Sequence, residues 1–387
     1  MRREDRRVVG ILGFLHGAVH ANILAIPVFL NLAWGAAFGA DTLTLGVLAA
    51  IGFSLYGLGA VPFGYLADHG APGRLLGVCA LGIAVAMAAI ALSPSIVLLA
   101  ASLAALGFFS AVYHPTGLSV ISRAVAAQGR AMGWHGMGGS LGIAAGPLFV
   151  SATLALGWSW RIVAALMVVP AVVAALLLFV GRLPDSGAAD PEAPRVNLRT
   201  LFTPPFVLII VVYMFAGFAY QGSLTFLPRF IGSGLFVLAL AVGAVGQVVS
   251  GRRADRPNPE GSLFRLSLLG AGLLGLLSLI VFVGYPAVIG VAAFGATALV
   301  FGLVLFSLEP LQNTLVTGEA PRSLRGFAFG FTFLSVFGVG SIGAVLAGLL
   351  IQQNQVAPLF LILGVCMAAS GTAALRVRRN GGLRSSA

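Results

Sequence analysis

The sequence predicts an all-α membrane protein whose twelve transmembrane helices form two six-helix pseudo-repeats. The chain of 387 residues is 59% hydrophobic and 9% charged, with a mean hydropathy of +1.03, which leaves too little polar surface for a soluble protein. Its apolar runs reach the length of about 20 residues that a helix needs to cross the hydrocarbon core. They exceed the roughly ten residues of a barrel strand, and only helices and closed barrels satisfy the backbone in lipid.

The apolar runs are separated by short loops that contain most of the arginines. The predicted helix cores are residues 8–33, 43–67, 74–92, 95–123, 131–156, 160–180, 205–230, 235–252, 263–283, 287–317, 325–352 and 357–377. A polar, proline-containing stretch separates the two halves and has the composition of a flexible linker. We therefore expect an N-terminal half over 1–181, a cytoplasmic linker over 182–203 and a C-terminal half with a short cytoplasmic tail over 204–387.

The distribution of arginine predicts the orientation of the chain. All 22 basic residues are arginine, and the formal net charge is +11. When the N-terminus is placed inside, every arginine except Arg161 and Arg229 falls on the cytoplasmic side, as the positive-inside rule requires. We expect an even number of crossings, both termini in the cytoplasm and a location in the plasma membrane, most simply that of a prokaryote.

Composition and motifs disfavour several functional classes. Arginines scattered through short loops do not form the single basic face that nucleic-acid binding requires. Cys79 and Cys366 both lie in apolar runs and are expected to pack there, so neither a disulfide framework nor a metal or cofactor site is predicted. The loops place no nucleophile beside a base, and a chain without lysine has no P-loop. We expect neither an enzyme nor an ATP-driven pump.

Polar side chains inside apolar runs are the candidate functional residues. Glu309 is the only acidic residue that lies well inside such a run, where an ionised carboxylate costs on the order of 3 kcal/mol. It therefore needs a partner or must keep its proton; a protonated glutamic acid bonded across helices is the structural alternative. Pro310 follows it and is expected to bend the helix, and the amides of Gln312 and Asn313 lie within the next turn.

The first half contains a similar group of polar residues next to a proline. Tyr113 and His114 precede Pro115, which is expected to bend helix 4 as Pro310 bends helix 10. An arginine follows each proline at the same distance, Arg130 in the first half and Arg325 in the second. This repetition indicates two copies of one membrane unit.

Other intramembrane polar groups are expected to face the bundle interior or a water-filled cavity. The spacing of His16 and His20 places both rings on one face of helix 1, with Asn22 nearby; satisfaction of neighbouring carbonyls is the alternative. Helices 7 and 8 offer Tyr213, Tyr220, Gln221 and Gln247. Helix 11 carries the stripe Phe329, Phe333 and Phe337, which lines a cavity or packs against neighbours or lipid.

A loop motif occurs in both halves between the second and third helices. The first copy runs from Gly64 through Asp68 to Arg74, and the second contains Gly251, Asp255 and Arg256. This pattern resembles the G-x-x-x-D-R loop signature of the major facilitator superfamily, which implies the major facilitator fold. In that interpretation the glycine permits close helix approach, and the carboxylate pairs with basic groups such as Arg130 or Arg325 as a conformational latch. The first copy departs from the pattern because His69 occupies the arginine position.

Helix 5 carries Gly133, Gly142, Gly146 and Pro147, a spacing similar to the antiporter signature of the superfamily's drug exporters. Small residues at these intervals favour close helix packing, and proline favours a bend. The arginine of the exporters' helix 4 motif is missing from 103–107. The stretch from Tyr113 to Pro147 instead resembles the fosmidomycin-resistance-type carriers, whose first helix has a histidine and a second titratable group with the spacing of His16 and His20.

The resemblance and the polar residues together predict a secondary active transporter that works by alternating access. The leading expectation is proton-coupled efflux of a small amphiphilic or drug-like molecule by a monomer, with Glu309 and His114 as the main candidates for coupling. His16 and His20 are expected to contribute to the substrate or proton route. Two alternatives stay open: proton-coupled uptake of a small organic or inorganic anion, and a membrane sensor or scaffold that does not transport.

Overall fold

The computed structural model describes residues 2–69, 71–125, 128–181, 183, 198–254, 257–284, 287–321 and 324–377. Within these residues all regular structure is helical, and twelve helices are long and apolar enough to cross a membrane. The predicted fold class and number of transmembrane helices are confirmed. The linker expected at 182–203 falls mostly outside the described residues.

The spanning helices of the N-terminal half are α1 (Arg3–Phe38), α2 (Thr42–Ala67), α3 (Pro72–Leu92), α4 (Ile96–Ile121), α5 (Trp134–Ala155) and α6 (Trp160–Gly181). Those of the C-terminal half are α7 (Pro204–Leu224), α8 (Leu227–Ala254), α9 (Pro259–Val283), α10 (Ile289–Glu319), α11 (Gly326–Gln352) and α12 (Val356–Leu375). Two of them contain a π-helical turn, at Leu30–Trp34 in α1 and at Leu334–Val339 in α11.

The predicted boundary between the seventh and eighth helices is wrong by several residues. Helix α7 ends at Leu224 and α8 already begins at Leu227, with Pro228 in its first turn. Proline fits there because the first amides of a helix have no intrahelical acceptor. Gly232, in a stretch that the sequence favours as a loop, instead lies inside α8 with a φ of 74° and kinks it.

Helix α4 is interrupted just before its polar residues Tyr113 and His114. One segment ends at Ser110 and the next runs Tyr113–Ala124. Pro115 has no amide hydrogen to donate to the preceding turn, so the helix cannot continue regularly through this point. The interruption places Tyr113 and His114 at the start of a helical segment inside the bundle, where both side chains are buried.

Helix α1 packs against α5 through glycines. A Cβ atom added to Gly142 would lie 2.6 Å from the Cα atom of Gly17, and one added to Gly146 would lie 2.5 Å from the Cα atom of Ala21. These separations are too short for any real side chain, so the two backbones touch. Pro147 is buried in the same helix. The close contact brings the polar residues of α1 next to those of α5.

The two halves meet along α2 and α11. Ser54 and Ser341 share a hydrogen bond of 2.7 Å between their hydroxyl oxygens, and the Thr42 hydroxyl donates to the Gly348 carbonyl at 2.9 Å. These hydrogen bonds lie near the middle of the interface and at the end of the bundle opposite the N-terminus.

Two further polar contacts join the halves at that opposite end. The Asn31 amide donates to the Thr225 carbonyl at 2.7 Å, and the Gln352 amide donates to the Asp41 carboxylate at 3.0 Å. Hydrogen bonds from Thr44, together with the one from Gln352, lower the pKa of the Asp41 carboxyl below its ordinary value. Asp41 therefore stays ionised at neutral pH and keeps its acceptor role.

The glycine contact between α1 and α5 yields a test of packing. Gly142→Leu inserts a side chain against the Gly17 backbone, and such overpacking costs about 1–3 kcal/mol or more. Gly136→Leu is the matched control, because a Cβ atom there meets nothing within 4 Å and the change in helix propensity is the same. We expect a lower melting temperature for Gly142→Leu than for Gly136→Leu in detergent, measured by thermal aggregation. Equal melting temperatures would show that the two backbones are not in contact.

Candidate functional site

A cluster of histidines lies where α1, α4 and α5 meet. The ring centroid of His16 is 4.7 Å from that of His20, 5.0 Å from that of His114 and 4.3 Å from that of His135. Tyr113 stacks on His16 at 5.1 Å. His16, His114 and His135 are buried and His20 is half-buried. Three features bring these rings into one cluster: the four-residue spacing of His16 and His20 on α1, the interruption of α4, and the close glycine contact between α1 and α5.

The hydrogen bonds in this cluster fix the neutral tautomers. The Tyr113 hydroxyl donates to the Leu12 carbonyl at 2.5 Å, so at its 2.7 Å contact with His135 the Nε2 atom of His135 must donate. The Nδ1 atom of His16 lies 3.1 Å from the His135 carbonyl, which can only accept, so this nitrogen carries the hydrogen. The Nε2 atom of His16 is then an acceptor, and His20 donates to it from its own Nε2 at 3.0 Å.

An aromatic wall connects the histidines to the other half of the protein. The His114 ring lies 4.6 Å from Phe333 of α11. Tyr56 of α2 lies 6.0 Å from Phe333 and 4.7 Å from Phe337, and Phe337 lies 6.2 Å from Tyr220 of α7. We call these four rings, Tyr56, Tyr220, Phe333 and Phe337, the aromatic wall. It crosses the interface between the two halves.

A second polar centre is built around Glu309. The Gln247 amide nitrogen donates to the Glu309 carboxylate at 2.6 Å, while the Gln247 amide oxygen accepts from the Ser140 hydroxyl at 3.1 Å. Ser140 belongs to α5, Gln247 to α8 and Glu309 to α10. One amide therefore links the carboxylate of the C-terminal half to a helix of the N-terminal half.

Glu309 faces open space inside the bundle. Its side chain is exposed, and its hydrogen bond with Gln247, which also bonds Ser140 of α5, places it where the C-terminal half meets the N-terminal half. Because this exposed carboxyl group lies where the two halves meet, we infer that it lines a cavity between them. Tyr220 of the aromatic wall packs against Phe306, one turn before Glu309, at 5.8 Å between ring centroids, so the wall lies next to this carboxyl group.

The remaining predicted polar residues lie around these two centres. Asn22 is buried, and its amide donates to the Ala18 carbonyl at 2.9 Å. Asn313 accepts a hydrogen bond of 2.9 Å from the Tyr213 hydroxyl. Gln221 and Gln312 are buried, and within the described structure the amide nitrogen of each has no hydrogen-bond partner. Polar atoms of this kind are rare in folded interiors and mark positions where a ligand or water is expected.

The predicted latch is only partly visible. Gly64 packs against the start of α11, since an added Cβ would lie 3.2 Å from the Gly326 carbonyl oxygen, whereas one on Gly251 would meet nothing within 4 Å. Arg74 is exposed. The other predicted residues have side chains outside the described structure: Asp68, Asp255, Arg256, Arg130, Arg325 and, in helix 5, Gly133.

Sequence reasoning missed His135 and Tyr56. His135 lies on the same face of α5 as Gly138, Gly142 and Gly146, at spacings of three, seven and eleven residues, and that face packs on α1. The glycine face was recognisable in the sequence, so the position of His135 on it was the available signal. No comparable signal pointed to Tyr56, because Phe333 and Phe337, which it packs against, lie almost 280 residues later in the chain.

A separate groove lies on the outer side of the α1–α5 contact. Its volume is about 660 Å³, and it is lined mainly by small and apolar residues together with Arg6. None of the histidines, and neither Glu309 nor Gln247, lines it. We place the candidate site at the interface between the halves because that is where the polar groups converge.

The comparisons with known proteins agree with this architecture. The chain is 30% identical over 221 residues to the gentisate transporter of Corynebacterium glutamicum, a region that covers 51% of this chain and 47% of that relative. Among solved structures, the human organic anion transporter MFSD10 (TETRAN) has a TM-score of 0.73 at 18% identity over 97% of this chain and 100% of its own. A mutant form of the nucleoside transporter NupG has a TM-score of 0.75 at 14% identity, with 97% and 100% coverage.

The aligned region spans about half the length of the gentisate transporter, and the two solved structures are similar in fold alone. The family assignment does not depend on them. Residues 10–344 match the Major Facilitator Superfamily, whose members are transporters rather than enzymes. The twelve helices, the cavity between two halves and this match lead to one conclusion: the chain is a multi-pass membrane transporter that belongs to the major facilitator superfamily.

Proposed function

We propose that the protein is a proton-coupled secondary transporter that exports a small amphiphilic or drug-like molecule by alternating access. The observation that carries the proposal is the position of Glu309. It is an exposed carboxyl group at the junction of the two halves, connected through Gln247 to Ser140 of the other half. A protonatable group in that position can respond both to a ligand and to the relative arrangement of the halves.

The coupling acts through competition for Glu309. An ionised carboxylate in a membrane interior is costly, so the group gains free energy when it binds a proton or a cationic or hydrogen-bonding substrate. A ligand shifts a two-state equilibrium only by its differential affinity for the two states. If proton and substrate use the same carboxyl group in different states, the downhill movement of one drives the other.

The aromatic wall provides the apolar part of the substrate site. Tyr220 and Phe337 are half-buried and lie at the interface with Tyr56. Aromatic rings offer large apolar contact area, and tyrosine adds a hydroxyl that can bond a polar group. A small number of polar groups in an otherwise apolar pocket is typical of sites for drug-sized molecules. Asn313, Gln312 and Gln221 supply further polar groups close by.

Alternating access requires contacts between the halves to break and reform. The hydrogen bonds of Asn31 and Asp41 hold the end of the bundle opposite the N-terminus together, and Ser140–Gln247 joins the halves beside the carboxyl group. Pro115 follows the interruption of α4, whereas α10 continues through Pro310; we assign to both prolines the bending of matching helices. The charged loop residues of the two repeats form the latch at the other end.

The proposed setting follows from the orientation of the chain. The protein functions as a monomer in the plasma membrane, with both termini in the cytoplasm and the helices divided between the halves 1–181 and 204–387. This assignment is supported by the arginine distribution and by the even number of described spans.

Uptake of a small organic anion together with protons is the second candidate. The curated relative is a transporter of gentisate, an aromatic acid, and its name favours an aromatic anion as cargo. In that case protonation of Glu309 removes a negative charge that would repel the substrate. His114, at the other end of the wall, has a buried ring nitrogen without a partner in the described structure that can donate to the anion.

Replacement of Glu309 separates the coupling role from a structural one. We expect Glu309→Gln to lower accumulation driven by a proton gradient by on the order of tenfold, the middle of the range for coupled sites, while exchange of labelled for unlabelled substrate persists. The measurement uses proteoliposomes and a panel of labelled amphiphiles that includes a phosphonate antibiotic and gentisate. Glu319→Gln, at the end of the same helix, is the matched control and should transport as the wild type does.

The same assay decides between the two candidates. In export by exchange, the substrate crosses the membrane in the direction opposite to the proton flow. In uptake with protons, the substrate crosses in the same direction as the protons. If Glu309→Gln accumulates substrate as well as the wild type does, Glu309 is not the coupling group and the proposal is wrong.

Replacement in the aromatic wall tests the substrate site. Tyr220→Leu keeps the apolar volume but removes the ring and hydroxyl, so we expect a raised KM for aromatic substrates and a smaller effect on aliphatic ones. Phe282→Leu, on a side chain that is 81% exposed on α9, should change neither value. An equal loss for both substrate types would indicate damage to the fold rather than to a binding surface.

A further inference from the structure

We propose that His16, His20 and His114 form a binding site for one divalent transition-metal cation of the zinc class. The proposal goes beyond the transport function above and does not depend on its direction or on coupling at Glu309. One ring nitrogen from each of the three residues lies within 4.8 Å of the other two. The sequence predicted no metal site, because no metal-ligand spacing is visible when the three histidines come from two helices.

The distances suit coordination by imidazole. The Nε2 atoms of His16 and His20 are 3.0 Å apart. Two nitrogens bound at 2.0–2.1 Å to a tetrahedral zinc ion lie roughly 3.4 Å from each other, so the pair needs only a small separation to accept an ion. His16 and His20 are one helical turn apart, the spacing with which a helix presents two histidines to a zinc ion.

A supporting hydrogen bond already orients the first ligand. The Nδ1 atom of His16 donates to the His135 carbonyl, so its Nε2 atom carries a lone pair, which accepts from His20 and can bind a cation once His20 moves its hydrogen from Nε2 to Nδ1. Metal-binding histidines commonly donate their other nitrogen to a carbonyl or carboxylate in this manner, which fixes the tautomer and the ring orientation. His135 is itself held by Tyr113 through its Nε2 atom, so this side chain supports the site and is not a ligand.

The hydrogen bonds within the cluster leave some ring nitrogens without a partner. In the described structure, His20 Nδ1 and His114 Nε2 are buried and have no hydrogen-bond partner. Unpaired polar atoms inside a protein cost free energy, and an ion or water at the site is a common explanation. A cation bound between the three rings gives His114 a partner and replaces the contact between two imidazole nitrogens.

The donor set defines the cation. Three neutral imidazoles, without a carboxylate or thiolate in the described cluster, favour zinc, cobalt, nickel or copper over magnesium and calcium, which prefer oxygen ligands. Three neutral ligands leave the double positive charge of the ion uncompensated inside an apolar bundle. The fourth position therefore takes an anionic oxygen ligand, and half-buried His20 marks the accessible side.

Metal binding to the purified full-length protein tests the proposal. The protein carries an affinity tag without histidine, is equilibrated in detergent with zinc and is freed of excess metal before elemental analysis. We expect about one zinc ion per wild-type chain and a loss of on the order of tenfold or more in affinity in His20→Gln and His114→Gln. The control is His69→Gln, which removes the histidine that is neither a proposed ligand nor the supporting His135, and this variant should retain the metal.

Two additional readouts keep the test decisive if a variant folds poorly. Cobalt bound to the wild type should give the strong visible absorption of a tetrahedral site, which zinc then abolishes. Zinc, but not magnesium, should raise the melting temperature of the wild type. The proposal is overturned if the wild type retains no zinc, if His20→Gln and His114→Gln retain it fully, or if His69→Gln loses it. Because Glu309→Gln should bind zinc normally, failure here leaves the proposed coupling untouched, and the reverse also holds.

Discussion

A polar side chain inside a membrane must find a partner, a ligand or water, and this constraint organises the structure. Many serine and threonine side chains in the described spans find a partner within their own helix. Their hydroxyls donate to carbonyls one turn earlier, as Ser223 and Thr153 do. The histidine cluster and the pair Gln247–Glu309 meet this constraint across helices. Within the described spans, the cluster links α1 with α4 and α5, and Gln247 links α8 with α5 and α10.

The two centres differ in how they meet this constraint. The histidines are mostly buried and stacked on one another in the N-terminal half, supported by backbone carbonyls. Glu309 is accessible and accepts its hydrogen bond from Gln247. The aromatic wall lies between them: Phe333 packs against His114, and Tyr220 packs against Phe306, one turn before Glu309. This division places a buried polar region on one side of the aromatic wall and a chargeable group on the other.

Much of the fold followed from the sequence because lipid leaves few choices. Apolar runs of sufficient length can only be helices, and arginine marks one side, so twelve crossings were predictable. Glu309 stood out as a lone carboxyl group, and His16 and His20 were paired by their spacing on a single helix. The assembly of His114 and His135 around them was not predictable, because it depends on the break before Pro115 and on the glycine contact of α5. The start of α8 was missed because only two residues, Thr225 and Phe226, separate it from α7.

The central claim is that Glu309 exchanges protons with water in a cavity between the halves. The most direct measurement is infrared difference spectroscopy of the purified protein during a pH titration, with Glu309→Gln as the reference. The account predicts a protonated-carboxyl C=O band that disappears reversibly as the pH rises in the wild type and is missing from the variant. Identical spectra for the two proteins would contradict it, since the carboxyl group would then keep one protonation state at every accessible pH.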